Sequence, residues 1–231
     1  MQIQQLYAHP SNYSDRRNIK KYLVFHYTGN VGDSAVNNCK YFSEPNRGAS
    51  AHFFVDDTSI WCSVPPDCSA WAVGLGKRKE PYKSSPMFKI VTNSNSISIE
   101  MCGSQQSTTA SDATVKNAIL LGKFLMTKYS IPYKNVYRHY DVTGKKCPAW
   151  LVNDASWERF KKLLMEDNTL TYEEFIKYMD RYLKELAEKP RGEWAKNYLS
   201  YVKNEQLMGD TAPKSFVTRE ELATVIYRLK H

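Results

Sequence analysis

No stretch of the 231-residue chain is apolar enough for long enough to read as a membrane span. The strongest apolar run within a helical pattern, Ala118 to Gly122, is broken by Lys123. The opening residues, MQIQQLYAHPSNYSDRRNIKK, contain no apolar h-region, so no secretory signal peptide is expected. Ten glycines and ten prolines exclude a low-complexity or collagen-like chain. Cysteine is sparse: Cys39, Cys62, Cys68, Cys102 and Cys147 make an odd set without a CxxC pair. That pattern suits synthesis in a reducing compartment with mostly buried thiols, although Cys62 and Cys68 could pair in an oxidising one. A dense basic block is also lacking. Lys77-Arg78-Lys79 reads as a solvated loop rather than a nucleic-acid arm.

What is present suffices for a hydrophobic core: 42% of residues are apolar and 24% charged. The length allows one large domain, or a medium domain with a small one. The net charge of +8 is uneven, with +9 on residues 1–165 and −1 on residues 166–231. The basic front part will gather near polyanions, whether nucleic acid, anionic lipid or an anionic cell wall. Charge does not choose among them.

The front part has an α/β texture. Lys20 to Tyr27 (KKYLVFHY) is β-branched and aromatic, and reads as a buried strand. Asp33 is placed to cap a short helix running toward Phe42. Ser50–Val55 and Ile60–Val64 flank Asp56-Asp57-Thr58-Ser59 as a hairpin. Ser96–Cys102 alternates polar and apolar residues, placing Ser98 and Glu100 on one side of a strand. Ala113–Tyr129 repeats apolar residues at helical spacing. Asn135–Tyr140 reads as another strand, and Asp154–Met165 as a closing amphipathic helix. The expected fold class is α/β, a mixed central sheet flanked by helices.

After Glu166 the strand signal disappears. Thr171 with Glu174, and Thr218 with Glu221, form capping boxes that open two helices. Glu193–Gln206 supplies a third between the breakers Pro190-Gly192 and Gly209-Asp210-Pro213. The chain is therefore expected to divide into residues 1–166 and a small all-α part, residues 170–231. About 60 helical residues form a marginal core, which invites docking or a homodimer.

Three side chains have the chemistry of metal ligands. His26 closes the first strong strand, His139 closes a later one, and Cys147 follows in HYDVTGKKCP. Imidazole and thiolate both suit zinc, and three protein ligands leave a fourth place for water. Spacing alone favours the plainer reading of two ordinary histidines and a buried thiol, since long-range His pairs occur often by chance.

The ordered series YLVFHYTG, SAHFFVDD, SISIEMCG and RHYDVTGKKCP resembles the zinc-dependent N-acetylmuramoyl-L-alanine amidases. That superfamily includes phage endolysins and peptidoglycan recognition proteins. The resemblance covers roughly residues 15–165. It implies zinc held by His26, His139 and Cys147, with Lys145 facing the substrate carbonyl. Glu100 matches the carboxylate that serves one branch as acid and base. The implied reaction is zinc-assisted hydrolysis of the amide between N-acetylmuramic acid and L-alanine. Trp71, in SAWAVG, resembles a groove-lining segment. His52 is a weaker substrate-side candidate, and a core role suits it as well. One departure stands out: the endolysin branch carries a tyrosine where Ala51 precedes His52. Proton transfer would then fall more heavily on Glu100. Tyr27, pointing to the opposite face from His26, is expected to be structural.

Residues 191–230 resemble a single S-layer-homology-like unit through Trp194-Ala195, Leu207–Asp210 and Val217–Ala223. The resemblance implies binding to a secondary cell-wall polymer, with Trp194 and Arg219 as candidate contacts, while bacterial peptidoglycan is the partner expected of the first part. A helical appendage used for packing or dimerisation fits the same residues. Taken together, the expectation is an endolysin that accumulates in the host cytoplasm and acts at the wall, with neither nucleic acid nor membrane insertion involved. The competing expectation is a recognition protein that holds muropeptide without cutting it.

Overall fold

A computed structural model describes residues 2–15, 17–75, 85–166, 172–190, 192–207 and 219–230. The chain divides into two compact units, Met1–Glu166 and Asp167–His231.

The first unit runs β1 (Gln4–Gln5), β2 (Tyr13–Ser14), β3 (Tyr22–Tyr27), α1 (Ala35–Ser43), β4 (Phe53–Val55), β5 (Ile60–Cys62) and β6 (Ser69–Ala70). It continues through β7 (Ser96–Met101), α2 (Asp112–Tyr129), β8 (Val136–Arg138), α3 (His139–Thr143) and α4 (Asp154–Met165). Six strands form one sheet in the order β1-β5-β4-β7-β3-β8. Only the β4–β5 hairpin is antiparallel within it. β2 and β6 pair separately.

Alternation along the parallel strands separates the two faces of the sheet. Leu23, Phe25, Ile97, Ile99, Phe53 and Val55 turn to one side and pack on Ala118, Leu121 and Leu125 of α2. Trp157, Phe160 and Leu164 of α4 complete this core, with the Phe25 and Phe160 rings edge to face at 4.9 Å. Gly122 lets α2 approach closely. A Cβ there would lie 2.8 Å from Leu164 Cδ2 and 3.0 Å from Phe25 Cζ. The roughly 1 kcal/mol that glycine costs a helix interior is thus offset by tighter packing. The opposite face carries Val24, His26, Ser98 and Glu100. Small apolar clusters flank it, around Val73, Val91 and Val142 on one side and Ala35, Cys39 and Phe54 on the other.

Several boundaries differ from the sequence reading. β3 starts at Tyr22 because Lys20 has φ +55°, a left-handed conformation that cannot continue a strand. Ser34, not Asp33, caps α1, its hydroxyl accepting the Asn37 amide. Asp33 instead accepts the Gly103 N–H at 2.8 Å and the Asn38 side-chain amide at 2.7 Å. The strand expected over Asn135–Tyr140 stops at Arg138. There the Asp141 carboxylate accepts the Arg138 N–H at 2.8 Å and turns the chain into α3. His139 is therefore the first residue of a short helix rather than the end of a strand. All five cysteines are free thiols.

The second unit contains α5 (Tyr172–Glu188), α6 (Lys196–Asn204), preceded by a single 3-10 turn at Glu193–Ala195, and α7 (Arg219–Lys230). Thr171, Met208, Gly209, Asp210, Pro213, Val217 and Thr218 lie outside the described residues, as do the side chains of Trp194 and Arg219. No described helix is long and apolar enough to cross a membrane.

Candidate metal centre and active site

β3 and β7 are parallel neighbours, and their register pairs His26 with Glu100. Residues paired in this way project from the same face of a sheet. His26 lies at the C-terminal end of its strand, where open α/β sheets place their ligands. The other two components come from the connection after β8. α3 presents His139 and ends at Gly144, whose φ of +75° lets its N–H return to the Tyr140 carbonyl at 2.9 Å. The Tyr140 N–H then donates to the Cys147 carbonyl at 3.0 Å, folding the segment back toward β3.

The result is convergence. Ligand atoms of His26, His139 and Cys147 all lie within 4.8 Å of one another, and all three residues are buried. Cys147 Sγ is 3.9 Å from His26 Nδ1, and the two imidazole centroids are 4.8 Å apart. A tetrahedral zinc ion needs nitrogen and sulfur about 3.5 Å apart, so a shift of a few tenths of an ångström would close this pair on an ion. His26 Nδ1 also stands 3.8 Å from Glu100 Oε1.

Several polar atoms here are left without partners. His26 Nε2 and Glu100 Oε2 are buried and make no hydrogen bond, and the buried ring nitrogens of His139 make none of good geometry, although the Gly74 backbone adjoins that ring. Each such group costs about 1–3 kcal/mol, and four in one place mark a site built for a ligand. The donor set, two imidazoles and a thiol, fits zinc.

The electrostatics agree with that chemistry. Burial, reinforced by His139 and the Lys145 ammonium, holds His26 well below the ordinary imidazole value. Burial also takes His139 down to about 4. Both rings are thus neutral at pH 7, the form that binds metal. Burial pushes the Cys147 thiol up to about 12, so ion binding there must displace its proton. Glu100 rises to about 7, mainly through burial and partly offset by Lys145. A carboxyl poised near neutrality can both accept and donate a proton. Lys145 is exposed, yet its charge acts on Glu100, His26 and His139 alike. A cavity of about 510 Å³ opens beside Glu100, lined among others by Thr28, Asn30, Asn37, Asn38 and Tyr41.

The remaining candidates are placed differently. His52 is 1% exposed, and its Nδ1 accepts the Ser98 N–H at 3.1 Å while Nε2–H donates to the Cys68 carbonyl at 3.1 Å. Both ring nitrogens are spent on backbone, so His52 offers substrate nothing. Trp71 is half-buried and donates its indole N–H to Ser14 at 3.0 Å. It does not line the cavity beside Glu100. Tyr27 packs edge to face on Trp150, a structural role. Ala51 is buried against Ala35, Cys39 and Phe54, leaving no hydroxyl at that point. Sequence reasoning missed the amide-rich wall formed by Asn30, Asn37 and Asn38. Two adjacent asparagines inside a short helix were the available signal.

Residues 15–150 match the family model described as N-acetylmuramoyl-L-alanine amidase. The chain is 35% identical over 147 residues to N-acetylmuramoyl-L-alanine amidase BlyA of Bacillus subtilis (strain 168), covering 61% of this chain and 40% of that protein. It is 36% identical over 141 residues to CwlL, an N-acetylmuramoyl-L-alanine amidase of Bacillus licheniformis, covering 59% and 38%. The matched region thus spans about 40% of the length of these curated relatives. Among solved structures, the catalytic domain of XlyA aligns with a TM-score of 0.59 at 28% identity, over 71% of this chain and 99% of that one. PlyL aligns with a TM-score of 0.61 at 28% identity, over 73% and 100%.

Proposed function

The chain belongs to the N-acetylmuramoyl-L-alanine amidase family, and from that premise we propose that its first unit hydrolyses the amide joining N-acetylmuramic acid to the L-alanine of peptidoglycan. The observation that carries this reading is the meeting of His26, His139 and Cys147 beside the Glu100 carboxyl, whose Oε1 lies 3.8 Å from His26 Nδ1 and whose buried Oε2 makes no hydrogen bond.

His26, His139 and Cys147 would hold a zinc ion. Bound there, zinc supplies Lewis acidity, polarising a carbonyl and making water nucleophilic near neutral pH. The protein's own groups handle the protons. As water adds to the carbonyl carbon, the Glu100 carboxylate takes one of its protons. It then returns that proton to the amide nitrogen as the C–N bond breaks, leaving a lactyl carboxylic acid and the amine of alanine, and the acid's proton passes on to the amine to give carboxylate and ammonium. The Lys145 ammonium, whose charge acts on Glu100 and both histidines, would offset the negative charge that develops on the carbonyl oxygen. The cavity beside Glu100, walled by side-chain amides, suits a substrate rich in peptide and acetamido groups.

The role proposed for the whole chain is endolysin-like, acting at the bacterial wall after production in the host cytoplasm. The second unit, through Trp194 and Arg219, would bind peptidoglycan or a secondary wall polymer, or would pair with a second copy.

The deciding experiment incubates the zinc-loaded protein with purified peptidoglycan and counts newly exposed N-terminal alanine. Appearance of that amine supports the reading. Binding to the sacculus without any new alanine would replace the hydrolase with a recognition protein.

A further inference from the structure

Arg138 adjoins a metal-facing histidine in sequence, yet its own side chain is committed elsewhere. It is 4% exposed, and its guanidinium donates to acceptors on four residues. Nε and Nη2 donate to the Asp141 carboxylate at 3.1 and 2.6 Å. Nη2 also donates to Asp154 at 2.9 Å. Nη1 donates to the Leu151 carbonyl at 2.6 Å and to that of Val152 at 3.1 Å. The Tyr140 and Trp157 rings flank it at 5.1 and 5.4 Å.

These partners fall at the two ends of one segment. Asp141 belongs to the helix that His139 begins, whereas Leu151, Val152 and Asp154 follow Cys147. The Arg138 cation therefore closes residues 139–152 into a loop that carries both ligands. The Arg138–Asp141 pair is largely buried whereas Asp154 is exposed, and a buried ion pair is a poor device for stability alone, since apolar residues of similar volume often serve as well. A rigid planar fork of five donors specifies geometry. We propose that Arg138 is a positioning residue that sets the separation of His139 from Cys147, and hence how tightly the three ligands close on a divalent ion. This rests on the reading that those residues hold a metal.

Cobalt(II) tests it on the full chain, because its visible bands and thiolate charge-transfer absorption report ligand geometry without reference to catalysis. Arg138→Lys keeps the charge and removes the fork. Asp141→Asn is nearly isosteric and removes the carboxylate that grips both the fork and the Arg138 N–H. The expected result for each, at a temperature where circular dichroism shows native structure, is cobalt affinity about 10–100-fold weaker with altered bands. Asp141→Asn carries the test if Arg138→Lys does not fold. A lower melting temperature with unchanged cobalt affinity and spectrum would overturn the proposal and leave Arg138 a structural residue. Failure of the unsubstituted chain to bind cobalt would remove the metal reading and this one with it. Cobalt binding without alanine release from peptidoglycan would sink only the amidase reading.

Discussion

His26 and Glu100 occupy the same register on adjacent parallel strands, with the imidazole Nδ1 3.8 Å from the carboxylate Oε1. The metal-ligand candidate and the proposed proton carrier are thus fixed by one sheet ladder rather than by loops. The backbone sets their spacing, so changing either side chain should leave the other in place.

Glu100→Gln follows directly. The amide keeps the shape and removes the proton carrier. Zinc content by elemental analysis should stay at the unsubstituted level while kcat falls about 10²–10⁴-fold. A variant that turns over at the original rate would return Glu100 to a supporting role.

Cys147→Ala takes away the thiolate. Bound zinc should drop well below one equivalent, and lysis of cell walls should fall below detection. Sγ sits in a buried cluster with no neighbouring thiol to substitute for it. Undiminished metal in the purified variant would show that the ligands lie elsewhere.

Lys145 and Lys146 are adjacent and both exposed, but only Lys145 acts on Glu100 and both histidines. Lys145→Ala should lower kcat about 10²-fold with zinc retained. Lys146→Ala should stay within a few-fold of the original enzyme. Equal losses in the two variants would point to general surface charge rather than a positioned cation.

His52 gives a pH dependence of stability. Burial pushes its folded value down to about 4 from the ordinary 6.5, so the folded state holds it neutral. The stabilisation is complete above about 6.5 and is lost as pH falls from there through 4, because the unfolded chain takes up the proton first. The whole effect is at most roughly 3 kcal/mol. Urea midpoints of metal-free protein at pH 7 and pH 4.5 should show a smaller drop in His52→Gln than in the unsubstituted chain. Identical drops would remove His52 as the source.

The strands and helices of the first unit were legible because their patterns are local. A β-branched and aromatic run marked β3, polar–apolar alternation marked β7, Asp56 to Ser59 marked the hairpin, and an amphipathic pattern marked α2 and α4. Boundaries were missed where one side chain overrode the pattern. Lys20 takes a left-handed turn, Asp141 captures the Arg138 amide and starts a helix, and Asp33 is drawn off to Gly103. None of these has a sequence period. Trp71 was a substrate-side candidate because SAWAVG resembles a groove-lining segment, and His52 a weaker one for which a core role was the more natural reading. Ser14, Ser98 and the Cys68 carbonyl had already claimed their polar atoms, through contacts 16 to 57 residues away in sequence.

By itself the sequence determined the α/β class, the change to helix after Glu166 and the chemical kinds of the three candidate ligands, because residue identity, composition and periodicity are written along the chain. It left open whether His26, His139 and Cys147 ever meet. Only the folded chain decided that, by pairing β3 with β7 and β8 and closing residues 139–152 around Arg138. Distances between groups more than a hundred residues apart are set by sheet register and loop closure, and no local pattern records them.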